Sequence, residues 1–459
     1  MRLKPPLRLA AGVSAAERQL LRRQLMRLVW PTLVENILQT TLGVANLMMV
    51  GRLGADPLAG VALANQVLML LIVFFSGLAV GTTALVAHAT GARDRTRADK
   101  TLAQSFLLGL IVAMAISLLG IVLAEPILRF LGASPAVARA GGLYLQINAA
   151  ATPFLMVMLV GNGALRGAGD TRTPMTITAA INALNLALSY VLIFGAFGLP
   201  GQGVLGAAWA LTAARLLGAT LVLGILASQA AMVRLRWQWL WPPDGPALAQ
   251  ILTVGGPAAL ESAFIQIGML AFSAIGLALG TAAYAAQSIL LNISSLSFLP
   301  GFAFSVAATT LVGQSLGARR PDQATASAWE ALRAGLLWMG GMGLLFLLAP
   351  TVFLRLYTSD PTIIAAGTPA MRLLGLGQPL VGTASILAGA LRGAGDTRTP
   401  MVLGALCIWA IRVPVAYLCG LYLGWGLVGL WIGWLADFLV RGSLFFSRFQ
   451  AGDWRKIRL

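Results

Sequence analysis

Glu35 and Glu261 each follow a proline, Pro31 and Pro257, by four residues, and each lies inside a long apolar run. A carboxylate placed there costs about 2.5 to 3.5 kcal/mol on insertion scales, so it faces water, finds a partner or takes up a proton. Both are therefore candidates for carrying a proton or holding a cation. The competing reading is a neutral carboxyl group bonded to a neighbouring helix. Asp437 is a weaker candidate, because Arg441 one turn later offers it an ion-pair partner.

Helical geometry extends the pattern. At about 100° per residue, Glu35, Gln39 and Asn46 fall on one stripe about 40° wide, and Asn182, Asn185 and Ser189 form a second. Polar stripes facing lipid would leave their groups unsatisfied, so both should look inward. Nothing in the chain has metal-ligand spacing of Cys, His and carboxylate. Cys407 and Cys419 sit in one predicted helix, about 18 Å apart, too far for a disulfide. The single histidine, His88, suits a packing or interfacial role.

The elements that position these residues are membrane spans. Of the 459 residues 58% are hydrophobic and only 10% are charged, too few to cover the water-facing surface of a soluble globule of this size. Twelve apolar stretches between 28 and 447 are each long enough to cross a bilayer core of about 30 Å. Porin-like strands are excluded, since segments such as 111–123 are apolar on every face. The expected fold is an all-α integral membrane protein of twelve transmembrane helices.

The 32 basic residues outnumber the 15 acidic ones, for a net charge of +17. In a soluble protein this would suggest nucleic acid, but here the basic residues cluster at the ends of spans. Arg2, Lys4, Arg8, Arg18, Arg22, Arg23 and Arg27 precede the first span, and Arg93, Arg95, Arg97 and Lys100 follow the second. Later clusters are Arg166/Arg172, Arg234/Arg236, Arg319/Arg320, Arg392/Arg398 and the tail Arg455, Lys456 and Arg458, whereas Arg52, Arg129 and Arg355 are the main ones opposite. The positive-inside rule then places both termini in the cytoplasm, with the protein in the plasma (inner) membrane of the cell. No secretory signal is read in residues 1–27.

A repeat organises the chain. GALRGAGDTRTPM occurs at 163–175 and again at 389–401, an offset of 226 that also pairs Pro31 with Pro257, Glu35 with Glu261, and Pro153 with Pro379. The halves are two six-helix lobes in the same orientation, related by an axis along the membrane normal. Expected domains are a basic cytoplasmic segment 1–27, an N-lobe 28–227, a cytoplasmic linker 228–247, a C-lobe 248–447 and a basic tail 448–459. Trp237, Trp239 and Trp241 in the linker suit the headgroup level. Each repeated motif reads as a structural elbow, with Thr173 and Thr399 as helix caps and Arg166 pairing with Asp170 across the first turn; Arg392 and Asp396 are the corresponding pair.

The tandem LRGxGDTRTP elbows, Pro31-x-x-x-Glu35 followed by Val50-Gly51-Arg52-Leu53-Gly54, and Asn182-x-x-Asn185 leading to Leu192-Ile193-Phe194-Gly195 resemble the multidrug and toxic compound extrusion family. The resemblance covers about 25 to 447. It implies two lobes that export organic, often cationic compounds by alternating access, in exchange for H⁺ or Na⁺. It also implies two familiar acid positions, which are Asn46 and Ser189 here, and a C-lobe pair of acids that this chain lacks. Glu35 and Glu261 remain, which favours a proton over Na⁺, since hard cations need several oxygens.

The offset carries the first polar stripe onto Glu261, Ile265 and Phe272, and the second onto Ile408, Ile411 and Val415. Coupling is accordingly expected around Glu35, Glu261, Asn46 and Asn185, with Gln39, Asn182, Ser189, Phe272 and Tyr284 lining a substrate cavity. The expected partners are the bilayer and a small amphipathic, cationic compound, with no nucleic acid and no cofactor beyond the coupling ion, and the working unit is a monomer. A lipid or lipid-linked saccharide flippase is the main alternative, but it should line its cleft with basic residues, and the spans hold mainly Arg215 and Arg412. No catalytic constellation suggests an enzyme, and a channel would not need one polar and one apolar lobe.

Overall fold

A computed structural model describes residues 13–196, 198, 200–228, 232–457 and 459. Arg2, Lys4, Arg8 and Arg458 lie outside the described residues. The described chain is helical. The first half contains α1 (Ala15–Gly51), α2 (Ala55–Gly91), α3 (Arg95–Phe130), α4 (Pro135–Ala150), α5 (Thr152–Gly167), α6 (Arg172–Phe194) and α7 (Val204–Ala227). The second contains α8 (Gly245–Ala278), α9 (Thr281–Gly317), α10 (Pro321–Leu348), the short α11 (Pro350–Arg355), α12 (Pro361–Gly393), α13 (Arg398–Leu406), α14 (Val413–Tyr417) and α15 (Gly426–Ala451).

Among the described residues eleven helices, counting 398–422 as one, are long and apolar enough to span a membrane. The pair α4 and α5, bent by 52° at Ala151, makes a twelfth if it counts as one span. Pro153, which has no N–H to bond the preceding turn, stands at the start of α5, whereas its repeat partner Pro379 is accommodated within the continuous helix α12. The repeat is otherwise close: α2 and α9, and the α4–α5 pair and α12, begin and end at positions separated by the same offset of 226. Outward faces are apolar, with Leu118 and Leu337 largely exposed, as lipid contact requires.

The chain forms two compact units. One comprises 31–259; the other comprises 260–459 together with the described part of the first 30 residues. In the first, Phe75, Phe106, Met156, Val160 and Val222 form the core. The start of α8 packs there against α2 so closely that a Cβ on Gly81 would lie 2.8 Å from the Cα of Gly255. In the second, Phe272, Met339, Phe346, Trp431 and Trp434 form the core, and Val13 and Leu21 pack on Ala326. The expected lobes began at 28 and 248; the compact units divide α1 at Pro31 and α8 just after Pro257.

The segment after α7 is held along α3. Asp99 accepts from the Arg234 backbone N–H at 2.8 Å and pairs with Arg236 at 3.0 Å. Gln104 donates to the Trp239 carbonyl at 2.6 Å and accepts from the Asp244 N–H at 3.0 Å, and Lys100 pairs with Asp244. This leaves Trp237 and Trp241 exposed.

Candidate functional site

Each elbow is built the same way. Gly169 and Gly395 turn the chain with φ of +94° and +89°, a region closed to most other residues. Asp170 then accepts from the N–H groups of Arg172 and Thr173 at 3.1 and 3.0 Å and from the Thr173 hydroxyl at 2.6 Å, capping α6. Asp396 receives the Thr399 N–H and hydroxyl at 3.1 and 2.9 Å, and also pairs with Arg448 at 3.2 Å. The expected roles of Thr173 and Thr399 as caps and of Arg166 as partner of Asp170 are thus corrected. A short aspartate so near a helix start satisfies the open N–H groups locally, which frees the longer arginine to reach elsewhere.

That arginine reaches the buried glutamate. In the first unit Arg166 Nη2 lies 2.5 Å from Glu35 Oε1, and the Thr178 hydroxyl donates to the same oxygen at 3.4 Å. Glu35 is 1% exposed, and its Oε2 has no hydrogen-bond partner among the described residues. In the second unit Arg392 holds Glu261 through two bonds, Nη2 to Oε1 at 2.6 Å and Nε to Oε2 at 3.2 Å. The counterpart of Thr178 is Gly404, which brings no hydroxyl to Glu261. Both glutamates lie well inside their helices, Glu35 sixteen residues from the end of α1 and Glu261 seventeen from the end of α8.

Further along the first unit, Asn182 donates to the Leu38 carbonyl at 2.7 Å. Asn46 donates to Asn185 Oδ1 at 3.0 Å, and the Ser189 hydroxyl reaches the same oxygen at 3.4 Å. Asn185 and Ser189 are buried, and Asn185 Nδ2 and Asn46 Oδ1 have no partner among the described residues. The two predicted stripes therefore meet as one polar lane between α1 and α6. Gln39 is exposed rather than part of it.

In the second unit, Phe272 is fully buried against Trp431, ring centroids 6.1 Å apart, and offers no surface to a substrate, contrary to expectation. The edge-to-face packing of two large rings closes the position. Tyr284 is 39% exposed. Among the described residues no group of three or more His, Cys, Asp or Glu side chains could hold a metal ion.

The family model MatE matches the chain twice, at 31–191 and at 257–418, so that each match begins at the proline ahead of a buried glutamate and contains one elbow. The chain belongs to the MatE family. A protein named "Probable multidrug resistance protein NorM" from Thermotoga maritima is 34% identical over 95% of this chain and 94% of its own. The multidrug resistance protein NorM of Burkholderia vietnamiensis is 30% identical over 92% of both. A crystal structure of MATE in the bent conformation superposes with a TM-score of 0.88 at 25% identity, covering 96% of this chain and 98% of that one. A MOP superfamily transporter from Pyrococcus furiosus shares the fold, with a TM-score of 0.87 at 22% identity over the whole of both chains. The protein is thus a multi-pass membrane transporter of this family.

One charged cluster of this MatE protein was read only in part from the sequence. Asp437 is fully buried eleven residues into α15, where Arg441 binds it through Nη2 at 2.7 and 2.8 Å, and Arg412 joins from the neighbouring helix. Arg441 was foreseen as the partner; Arg412 was not. The available signal was a lone arginine and a lone aspartate near the middle of consecutive spans, which cross the membrane in opposite directions and so meet at one depth. Asp437 lies beyond both stretches matched by the MatE model.

Proposed function

We propose that the protein exports amphipathic organic cations in exchange for protons, with Glu35 as the proton carrier. The NorM relatives, named as multidrug resistance proteins, support drug export, and the cationic, amphipathic class is the reading taken from the sequence. Within the chain, the observation that carries the reading is the unequal holding of the repeat-related glutamates. Glu261 has both oxygens engaged by Arg392, so protonation would break a charge-assisted fork. Glu35 has one oxygen engaged and one buried and open, so a proton can settle on Oε2 while Oε1 keeps its donors. Loss of the negative charge weakens the bond to Arg166 without abolishing it, which loosens α1 from the elbow one turn beyond Pro31. Pro31 lacks the N–H that would bond the preceding turn, so α1 has a natural pivot there.

Alternating access then follows from two lobes that rock, with substrate and proton favouring different states. The Asn46–Asn185–Ser189 contact gives the first unit a neutral hydrogen-bonding lane beside the carboxylate's helix. Exposed Tyr284 and Gln39 are the candidate substrate contacts. The protein works as a monomer in the plasma membrane with both termini, both elbows and the linker on the cytoplasmic side, as the distribution of arginine favours.

Purified protein in liposomes tests this with a pH gradient and a Na⁺ gradient imposed separately on uptake of a fluorescent lipophilic cation. A pH gradient alone should drive transport, and Glu35→Gln should abolish the response. Transport driven by Na⁺ alone would overturn the proton assignment, and unaltered transport by Glu35→Gln would overturn the residue.

A further inference from the structure

The second unit holds more positive charge in its interior than its own acid can neutralise. Asp437 accepts from both Arg412 and Arg441, which leaves the cluster with a formal charge of +1. Arg412 is fourteen residues from the start of α13 and Asp437 eleven from the start of α15, about 21 and 17 Å, so both stand near the centre of a bilayer core of about 30 Å. An uncompensated charge at that depth is costly, and intramembrane ionisable groups face a partner, a pathway or a ligand.

The donors around the cluster are also in excess. Arg412 Nη1 spends its bond on the Met269 thioether sulfur at 3.3 Å, a weak acceptor, and its Nε has no partner among the described residues. The indole Nε1 of Trp431, a residue with no exposed surface, is likewise unpartnered. Both side chains flank the Phe272 ring, with Arg412 Cζ 5.9 Å and the Trp431 ring 6.1 Å from its centroid. Two π-helical turns, Cys407–Arg412 and Leu418–Tyr422, interrupt the helix that carries Arg412, and such turns recur at functional sites.

The first unit has no copy of this arrangement. At the positions equivalent to Arg412 and Asp437 it carries Leu186 and Leu211, and only Arg441 has a counterpart, Arg215.

We propose that Arg412, Arg441 and Trp431 form a binding site for a small monovalent anion of the halide class. An acceptor-only ion of charge −1 neutralises the cluster and supplies the acceptor that two buried donors lack. The size follows from burial: Asp437 is 0%, Arg412 3% and Arg441 7% exposed, which favours a single-atom ion over the bulkier carboxylate of an organic substrate.

Thermal unfolding of the purified full-length protein, at constant ionic strength in sodium gluconate or sodium chloride, tests the site. Chloride should raise the wild-type midpoint by about 2 to 4 °C, in proportion to the logarithm of its concentration above saturation. Arg412→Met leaves a neutral Asp437–Arg441 pair and should respond equally to both salts. Equal wild-type midpoints in chloride and gluconate, or an unchanged chloride response in Arg412→Met, would overturn the proposal. A second reading does not depend on that variant folding. Bromide should quench wild-type tryptophan emission with a saturable component that Trp431→Phe lacks, whereas purely linear quenching of the wild type would contradict the site.

Discussion

Arg392 grips both carboxylate oxygens of Glu261, at 2.6 and 3.2 Å, whereas the equivalent Arg166 is bonded to only one oxygen of Glu35. Identical elbow sequences thus end in unlike ion pairs. The neighbouring helices differ too, since Thr178 faces one glutamate and Gly404 the other.

The first prediction concerns stability. Glu261→Gln breaks a buried fork and should cost about 3 to 5 kcal/mol, while Glu35→Gln keeps an acceptor for Arg166 and Thr178 and should cost about 1 to 2 kcal/mol. Denaturant unfolding of the two variants in one detergent measures the difference, and equal losses would contradict the unequal pairs.

The polar lane should behave as a unit. Asn185→Leu removes the acceptor of both Asn46 and Ser189, so each buried donor left open should cost about 1 to 3 kcal/mol. Asn46→Leu combined with Asn185→Leu should be milder than the sum of the single variants, because no orphaned donor remains on Asn46. Melting midpoints of the three variants read this directly.

Close helix packing gives a contrast between glycines. An alanine Cβ at Gly81 would meet the Gly255 backbone at 2.8 and 2.9 Å, so Gly81→Ala should lower the melting midpoint and impair transport. Gly256 has nothing within 4 Å, and Gly256→Ala should be neutral or stabilise by about 0.4 to 1 kcal/mol.

The linker should detach in acid. The Lys100 side chain bonded to Asp244, helped by the Ala247 N–H, holds its carboxyl below the usual carboxylate range. A carboxylate lowered on docking supports the docked form above its free value of about 3.9 and loses that support as pH falls through the lowered one. Limited proteolysis between 228 and 244 should therefore stay slow at neutral pH and rise only below about pH 4, the free carboxylate value. Asp244→Asn should already be cut faster at pH 7.

Much of this architecture was legible because the bilayer constrains it. Spans, elbows and halves follow from apolar length, glycine placement and a repeated motif, and Asn182, Asn185 and Ser189 announced their lane by helical spacing. Partnerships across helices were not legible. Arg166 looked committed to Asp170 because the two are four residues apart, yet Asp170 was already satisfied by the helix start, and the partner was 131 residues away. Phe272 looked like a cavity wall because the offset made it the repeat counterpart of Asn46, and nothing in spacing reveals that Trp431 covers it. The Arg412–Asp437 pair joins two helices whose rotation about their own axes no sequence period specifies.

Substrate-evoked proton release tests the central claim most directly. Liposomes carrying the purified protein and an internal pH dye, preloaded with acid, are challenged with an external lipophilic cation at zero Na⁺. Wild-type protein and Glu261→Gln should release protons on addition of the cation, and Glu35→Gln should show only the protein-free background. Proton release by Glu35→Gln at the wild-type rate would contradict the account.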